Sequence, residues 1–151
     1  MDIFGQALLD YTQGTLDSKL WLHNNYGSPE EMPVDIFFRS EPEMPELELM
    51  AISLCKGKVL DIGAGVGSHA LILQDKGFDI TALEISASAC QIMEARGVRK
   101  VINADIMQFS GAKFDTLLLL MNGIGLTGDL AGLSNFLNHA KTLLNPGGAL
   151  I

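Results

Sequence analysis

The stretch VLDIGAGVG, Val59 to Gly67, constrains this chain more than any other. An apolar run that breaks into glycines at alternate positions reads as a strand entering a tight turn, and such a turn lets backbone approach a neighbour closely. The theme then repeats. A helix is expected from about Ser68 to Lys76 with Gly77 as its stop, and DITALE is a second strand. Ser86 caps a helix through ASACQIMEAR that ends at Gly97, and KVINA is a third strand. FDTLLLLM is a fourth, apolar on both faces, as a central parallel strand under two helix layers must be. Leu130, Leu133, Leu137, Ala140 and Leu144 predict a helical face, NPGG predicts that helix's end, and ALI predicts the start of a fifth strand. Strands alternating with helices imply parallel pairing, hence an α/β fold with a doubly wound sheet and helices on both faces.

Residues 1–57 obey different rules and read as a helical and irregular leader or lid over an α/β core spanning 58–151. Asp2 is placed to cap a helix carrying Ile3, Phe4, Ala7, Leu8 and Tyr11, which Gly14 interrupts. Leu16, Leu20 and Trp21 suggest a second helical piece. GSPEEMPVDIFFRSEPEMPE carries four of the five prolines and reads as an irregular cover. A helix from about Glu46 to Leu54, stopped by Gly57, then leads into the core.

Bulk properties narrow the function. The formal net charge is −8, which weighs against nucleic-acid binding through phosphate neutralisation. The most apolar stretch, Thr116 to Met121, is far short of a membrane span, and MDIFGQALLDYTQG is too polar for a signal peptide. Cys55 and Cys90 lack CxxC spacing and read as thiols of a reducing cytoplasm. His23, His69 and His139 lack metal-ligand spacing, so no metal is expected.

Ligands of doubly wound sheets bind beyond the carboxyl ends of the strands, so the informative residues are Asp61, Glu84, Asp105 and Asn122. The turn Gly63-Ala64-Gly65-Val66-Gly67 departs from the dinucleotide pattern GxGxxG, whose sixth position is here Ser68. Asp61 departs further: a carboxylate about 5 Å from a phosphate charge is repelled by roughly 3 kcal/mol at an effective dielectric of ~20. A cationic ligand reverses the sign. S-adenosylmethionine carries a sulfonium and an ammonium beside a nucleoside, and Asp61 would attract that end, unless it merely caps the turn. Glu84 is suited to accept from a ribose diol, which NAD also has. Asp105 is suited to accept from the adenine amine while Ile106 packs on the ring, although a solvated acid would look the same.

At these residues the chain resembles the class I S-adenosylmethionine-dependent methyltransferases over Lys58 to Ile151. VLDIGAGVG matches their glycine motif, ITALEIS their second-strand acid, INADIMQF their adenine-binding Asp, FDTLLLLMNGIG the strand facing the methyl group, and LLNPGGALI the turn into strand five. The resemblance implies a Rossmann-like fold with S-adenosyl-L-methionine as cofactor. It implies cofactor binding by Asp61, Gly63, Ala64, Gly65, Gly67, Glu84, Ile85, Asp105, Ile106 and Asn122. The acceptor would be a small molecule or a protein. Two other readings stay open: an NAD-dependent oxidoreductase, and a non-catalytic module that binds S-adenosylmethionine or S-adenosylhomocysteine.

Family members finish with a further helix and two more strands, whereas this chain ends in strand five, roughly 80 to 100 residues short by typical element lengths. An open sheet edge capable of self-association is therefore expected. Tyr11, Phe38 and Arg39 are candidates for the lid, with Arg39 either meeting the cofactor's carboxylate or lying on the surface beside a packed Phe38. Met32, Met44 and Met50 read as gap fillers beneath it.

Overall fold

Two linked helix starts, one capped by an aspartate and one by a serine, lock the leader onto the core. In the computed structural model, which describes residues 2–15 and 19–151, Asp2 caps α1 (Ile3–Thr12) by accepting from Gly5 N at 2.8 Å. A short antiparallel hairpin comes next, β1 (Leu20–Leu22) with β2 (Glu30–Met32), and then 3-10 turns at Val34–Phe38 and Glu41–Glu43. Helix α2 (Glu46–Leu54) enters the core. The remainder alternates: β3 (Lys58–Ile62), α3 (Ser68–Asp75), β4 (Asp79–Glu84), α4 (Ala87–Ala95), β5 (Val101–Asn103), β6 (Phe114–Leu118), a 3-10 turn Gly123–Thr127, α5 (Leu130–Leu143) and β7 (Leu144–Leu150). Ser86 caps α4 by accepting from Ala89 N at 3.0 Å, and its hydroxyl donates to Asp2 at 2.6 Å, so one serine ties the two helix starts together.

The five core strands are all parallel, in the order β5-β4-β3-β6-β7. The chain runs outward from β3 through β4 to β5, then returns to the other side of β3 with β6. The switch in strand order therefore lies between β3 and β6, and ligands of such sheets lie beyond the strand ends there. Alternate residues of β3 feed opposite layers. Val59 packs with Ala70 and Leu73 of α3 and Met93 of α4, and Leu60 and Ile62 pack with Leu83, Leu117, and Phe136 and Leu143 of α5. Leu8 of α1 joins Ala89 and Ile92 of α4 in a third cluster.

Four expectations need correction. Leu20 and Trp21 lie in a strand, not a helix: they face Met32 and Glu31 across the hairpin, while Leu16 lies outside the described residues. An apolar triplet this short carries no period to separate the two states. The buried stripe of α5 is centred on Phe136, Ala140 and Leu143, whereas Leu130 is 84% exposed and Leu137 40% exposed. Phe136 has the largest side chain on the helix, and burying it rotates the helix away from the leucine-only face. NPGG does not close α5, for β7 begins directly at Leu144 and takes NPGG into an irregular strand whose register shifts opposite Phe114 and Thr116. Finally, Met50 points outward at 54% exposure, while Met44 is buried.

Candidate functional site

A cavity of about 780 Å³ opens beyond the carboxyl ends of β3 and β6, at the switch point. Its floor is the glycine turn. Gly63 (φ +70°) and Gly65 (φ +56°) hold left-handed conformations that a side chain would strain, and a Cβ on either would meet nothing within 4 Å. The turn is therefore left-handed backbone facing open space, the arrangement a ligand lying along the chain requires. Its roof comes from the leader, with Phe4, Ile36, Phe37 and Met44, and its far wall is Leu120 to Gly123.

Asp61, at the end of β3, lines this cavity at 2% exposure, and its Oδ2 has no hydrogen-bond partner. An unsatisfied buried carboxylate oxygen is costly and needs an explanation. Burial pushes the Asp61 carboxyl up to about 6; nearby His69 opposes this and Glu84 adds to it. A cationic group placed in the cavity would satisfy that oxygen and favour the ionised form.

Glu84, at the end of the adjacent β4, is also buried, but each of its oxygens has a partner. Its Oε2 accepts from Gly65 N and its Oε1 from Ser86 N, each at 2.9 Å. The carboxylate thus holds the glycine turn against the start of α4. Asn103 supports the same corner by donating to the Glu84 and Ile85 carbonyls, each at 2.9 Å.

The sequence candidates separate into two groups, with Gly67 apart from both. Asp61, Gly63, Ala64, Gly65 and Asn122 line the cavity together. Glu84, Ile85, Asp105 and Ile106 lie along the strand ends beyond it: Ile85 is 70% exposed, Asp105 accepts from Met107 N at 2.9 Å, and Ile106 is packed into the core with Leu60 and Phe114. Gly67 sits under the helix start, where a Cβ would meet Val98 and Met93. Of the lid candidates, Tyr11 and Phe38 stack on one another at 4.7 Å, and Arg96 lies over the Phe38 ring. Arg39 lines the cavity.

Sequence reasoning missed Glu48. It lines the cavity from α2 and bridges two basic side chains, with Arg39 Nη2 at 2.8 Å from Oε1 and His69 Nε2 at 2.7 Å from Oε2. An acid in the first turn of a helix is ordinary for dipole reasons, so nothing in the local sequence separates it from Glu46. The opposite wall holds strained backbone: Met121 (φ 51°) and Asn122 (φ 61°) are successive left-handed residues with side chains. Among the described residues, no group of three or more His, Cys, Asp or Glu is placed to hold a metal ion, and no helix is long and apolar enough to cross a membrane.

Comparison with known proteins fits this geometry. Residues 59–148 match the methyltransferase domain family. The crystal structure of a SAM-dependent methyltransferase from Bacteroides fragilis, in complex with S-adenosyl-L-homocysteine, is similar with a TM-score of 0.90 and 35% identity, covering 99% of this chain and 62% of that one. The sugar N-methyltransferase KedS8 from a Streptoalloteichus species shares the fold, with a TM-score of 0.66, 22% identity, and coverage of 87% and 57%. A 23S rRNA (uracil(747)-C(5))-methyltransferase from Pyrococcus horikoshii is 29% identical over 75 residues, 48% of this chain and 18% of that protein. This chain thus spans less than two thirds of these relatives' lengths. With its parallel sheet, glycine turn and strand-end acids in place, the chain belongs to the S-adenosylmethionine-dependent methyltransferases of Rossmann-like fold.

Proposed function

We propose that the cavity holds S-adenosylmethionine and that this chain contributes the cofactor-binding core of a methyl transfer to a small-molecule or protein acceptor. The observation that carries this reading is Asp61, a buried carboxylate with an unpartnered oxygen beside an open glycine turn. The residues present fit the group: an anion faces the cationic end, and left-handed glycines leave room along the chain. When bound, the cofactor supplies a methyl group already activated by its sulfonium. The protein's part is to align the acceptor and exclude water, and the apolar roof of Phe4, Ile36, Phe37 and Met44 serves the second task.

In this reading Gly63, Ala64, Gly65 and Gly67 border the amino-acid end and Asn122 faces the reacting centre. Glu84, Ile85, Asp105 and Ile106 border the nucleoside. Glu84 has the capacity, since each carboxylate oxygen offers a second lone pair after accepting one backbone bond. Residues 1–57 act as the lid and 58–151 as the cofactor-binding core. Net charge of −8 favours a small-molecule or protein acceptor over a nucleic acid. The free, buried Cys55 and Cys90 suit a reducing cytoplasm, and the edge strand β7 offers a path to self-association. Calorimetry with S-adenosylmethionine, S-adenosylhomocysteine and NAD tests the cofactor: both sulfur nucleosides bind and NAD does not. Binding of NAD alone would discard the reading.

A further inference from the structure

We infer that Glu48 is an internal carboxylate that occupies the cofactor's own carboxylate subsite. This inference rests on the cavity's being the cofactor site. The amino-acid end of the cofactor is a zwitterion, and a cavity that recognises it needs an anion for the ammonium and a cation for the carboxylate. Asp61 is the anion, with an oxygen left unpartnered. Among the described residues lining the cavity, the basic side chains are Arg39 and His69, and the lining holds no lysine. Both already meet one carboxylate, that of Glu48.

That bridge engages both basic side chains at once. Glu48 offers one oxygen to each partner, at 2.8 and 2.7 Å, and all three side chains are mostly buried, with exposures of 20% for Arg39, 13% for Glu48 and 8% for His69. An ionised carboxylate only accepts, so His69 Nε2 carries the hydrogen it shares with Glu48. Arg39 is held in place independently, because its Nε donates to the Ile36 carbonyl at 2.8 Å. Its Nη1 has no partner among the described residues, since its other contacts are Nη2 with Glu48 and a 3.9 Å approach of Nη2 to Met121 Sδ. The guanidinium therefore keeps a donor for an incoming anion while it holds Glu48, which lets one carboxylate replace the other without a bare intermediate.

Removing Glu48's charge should therefore tighten binding of a carboxylate-bearing ligand, the reverse of the loss that trimming an ordinary contact brings. The test is calorimetry on the whole chain with two probes: S-adenosylhomocysteine, and its decarboxylated analogue, which keeps the ammonium. Glu48→Gln is expected to tighten S-adenosylhomocysteine by about three- to tenfold and to leave the analogue unchanged. Arg39→Gln is expected to weaken S-adenosylhomocysteine by about tenfold, the size of one charge-assisted hydrogen bond, again sparing the analogue. This second variant leaves the Glu48–His69 contact in place, so it decides the matter if Glu48→Gln fails to fold. Unchanged or weaker S-adenosylhomocysteine binding by Glu48→Gln would overturn the inference, as would parallel changes for both probes in either variant. If the unaltered chain binds neither probe, the cofactor reading itself fails and takes this inference with it.

Discussion

Asp61 and Glu84 end neighbouring parallel strands, and the fold uses them in opposite ways. Asp61 reaches the cavity with one oxygen unpartnered, whereas Glu84 spends both oxygens on backbone amides of the glycine turn and the α4 start. The surroundings of each strand end cause the difference. After β3 the chain turns away through left-handed glycines that face open space, and Asp61 lines the cavity beside them. After β4, Ser86 starts α4 at once and places its own amide against Glu84. One carboxylate is therefore kept costly and ready, and the other acts as scaffold for the turn beside it.

The largest expected effect lies on the scaffold side. Glu84→Ala leaves one buried and one half-buried amide without their carboxylate acceptor and should lower folding stability by about 3 kcal/mol, read by chemical denaturation. A loss of cofactor affinity without a loss of stability would break the contrast. Asp61 comes next, and its sign is opposite. Its folded carboxyl titrates near 6 against an ordinary 3.8 because burial disfavours the charge. Protonation of this group therefore favours the folded state: its stability contribution is full below about pH 4, falls between there and about pH 6, and levels off about 3 kcal/mol lower, with the folded carboxyl ionised. Asp61→Asn should remove that slope and, at pH 7, weaken S-adenosylmethionine by about 2 kcal/mol through loss of a charged acceptor. Melts of both proteins across pH 4 to 8, with calorimetry, check the two halves together, and equal slopes would show Asp61 to be solvated. The smallest effect belongs to the outer rim. Ile85→Ser, at an exposed position, should change stability by less than about 0.5 kcal/mol, so any fall in nucleoside affinity reports contact with the ligand.

Much of the core was legible because its local signals agree. DITALE becomes β4, residue for residue, between Gly77 and Ser86, where a stop and a cap flank an alternating run. The glycine turn and Asp61 were legible together because a carboxylate beside left-handed backbone is an uncommon pairing with a chemical reason behind it. The leader was less legible. Leu20 to Leu22 gains its strand identity from Glu30 to Met32, a pairing that no local signal announces. On α5, hydrophobicity alone pointed to Leu130 and Leu137, but the volume of Phe136 set the buried face. Glu48 was invisible for a related reason: its role comes from Arg39 and His69, which the fold brings to it from two other segments. Within the rim, the fold packs the Ile106 side chain with Leu60 and Phe114, a burial that its neighbours in sequence do not announce.

Met121 and Asn122 bend the wall of the cavity in a backbone state that suits glycine, although Gly123 and Gly125 lie next in line. A left-handed residue bearing a side chain costs roughly 1–2 kcal/mol relative to a relaxed one, and less for Asn, so the strain lies mainly at Met121. A laboratory screen that rewarded heat tolerance alone would therefore be expected to install glycine at one of these two places. Clones recovered that way would gain melting temperature and loosen the cavity wall, which makes this pair the place to look for a trade between endurance and ligand affinity.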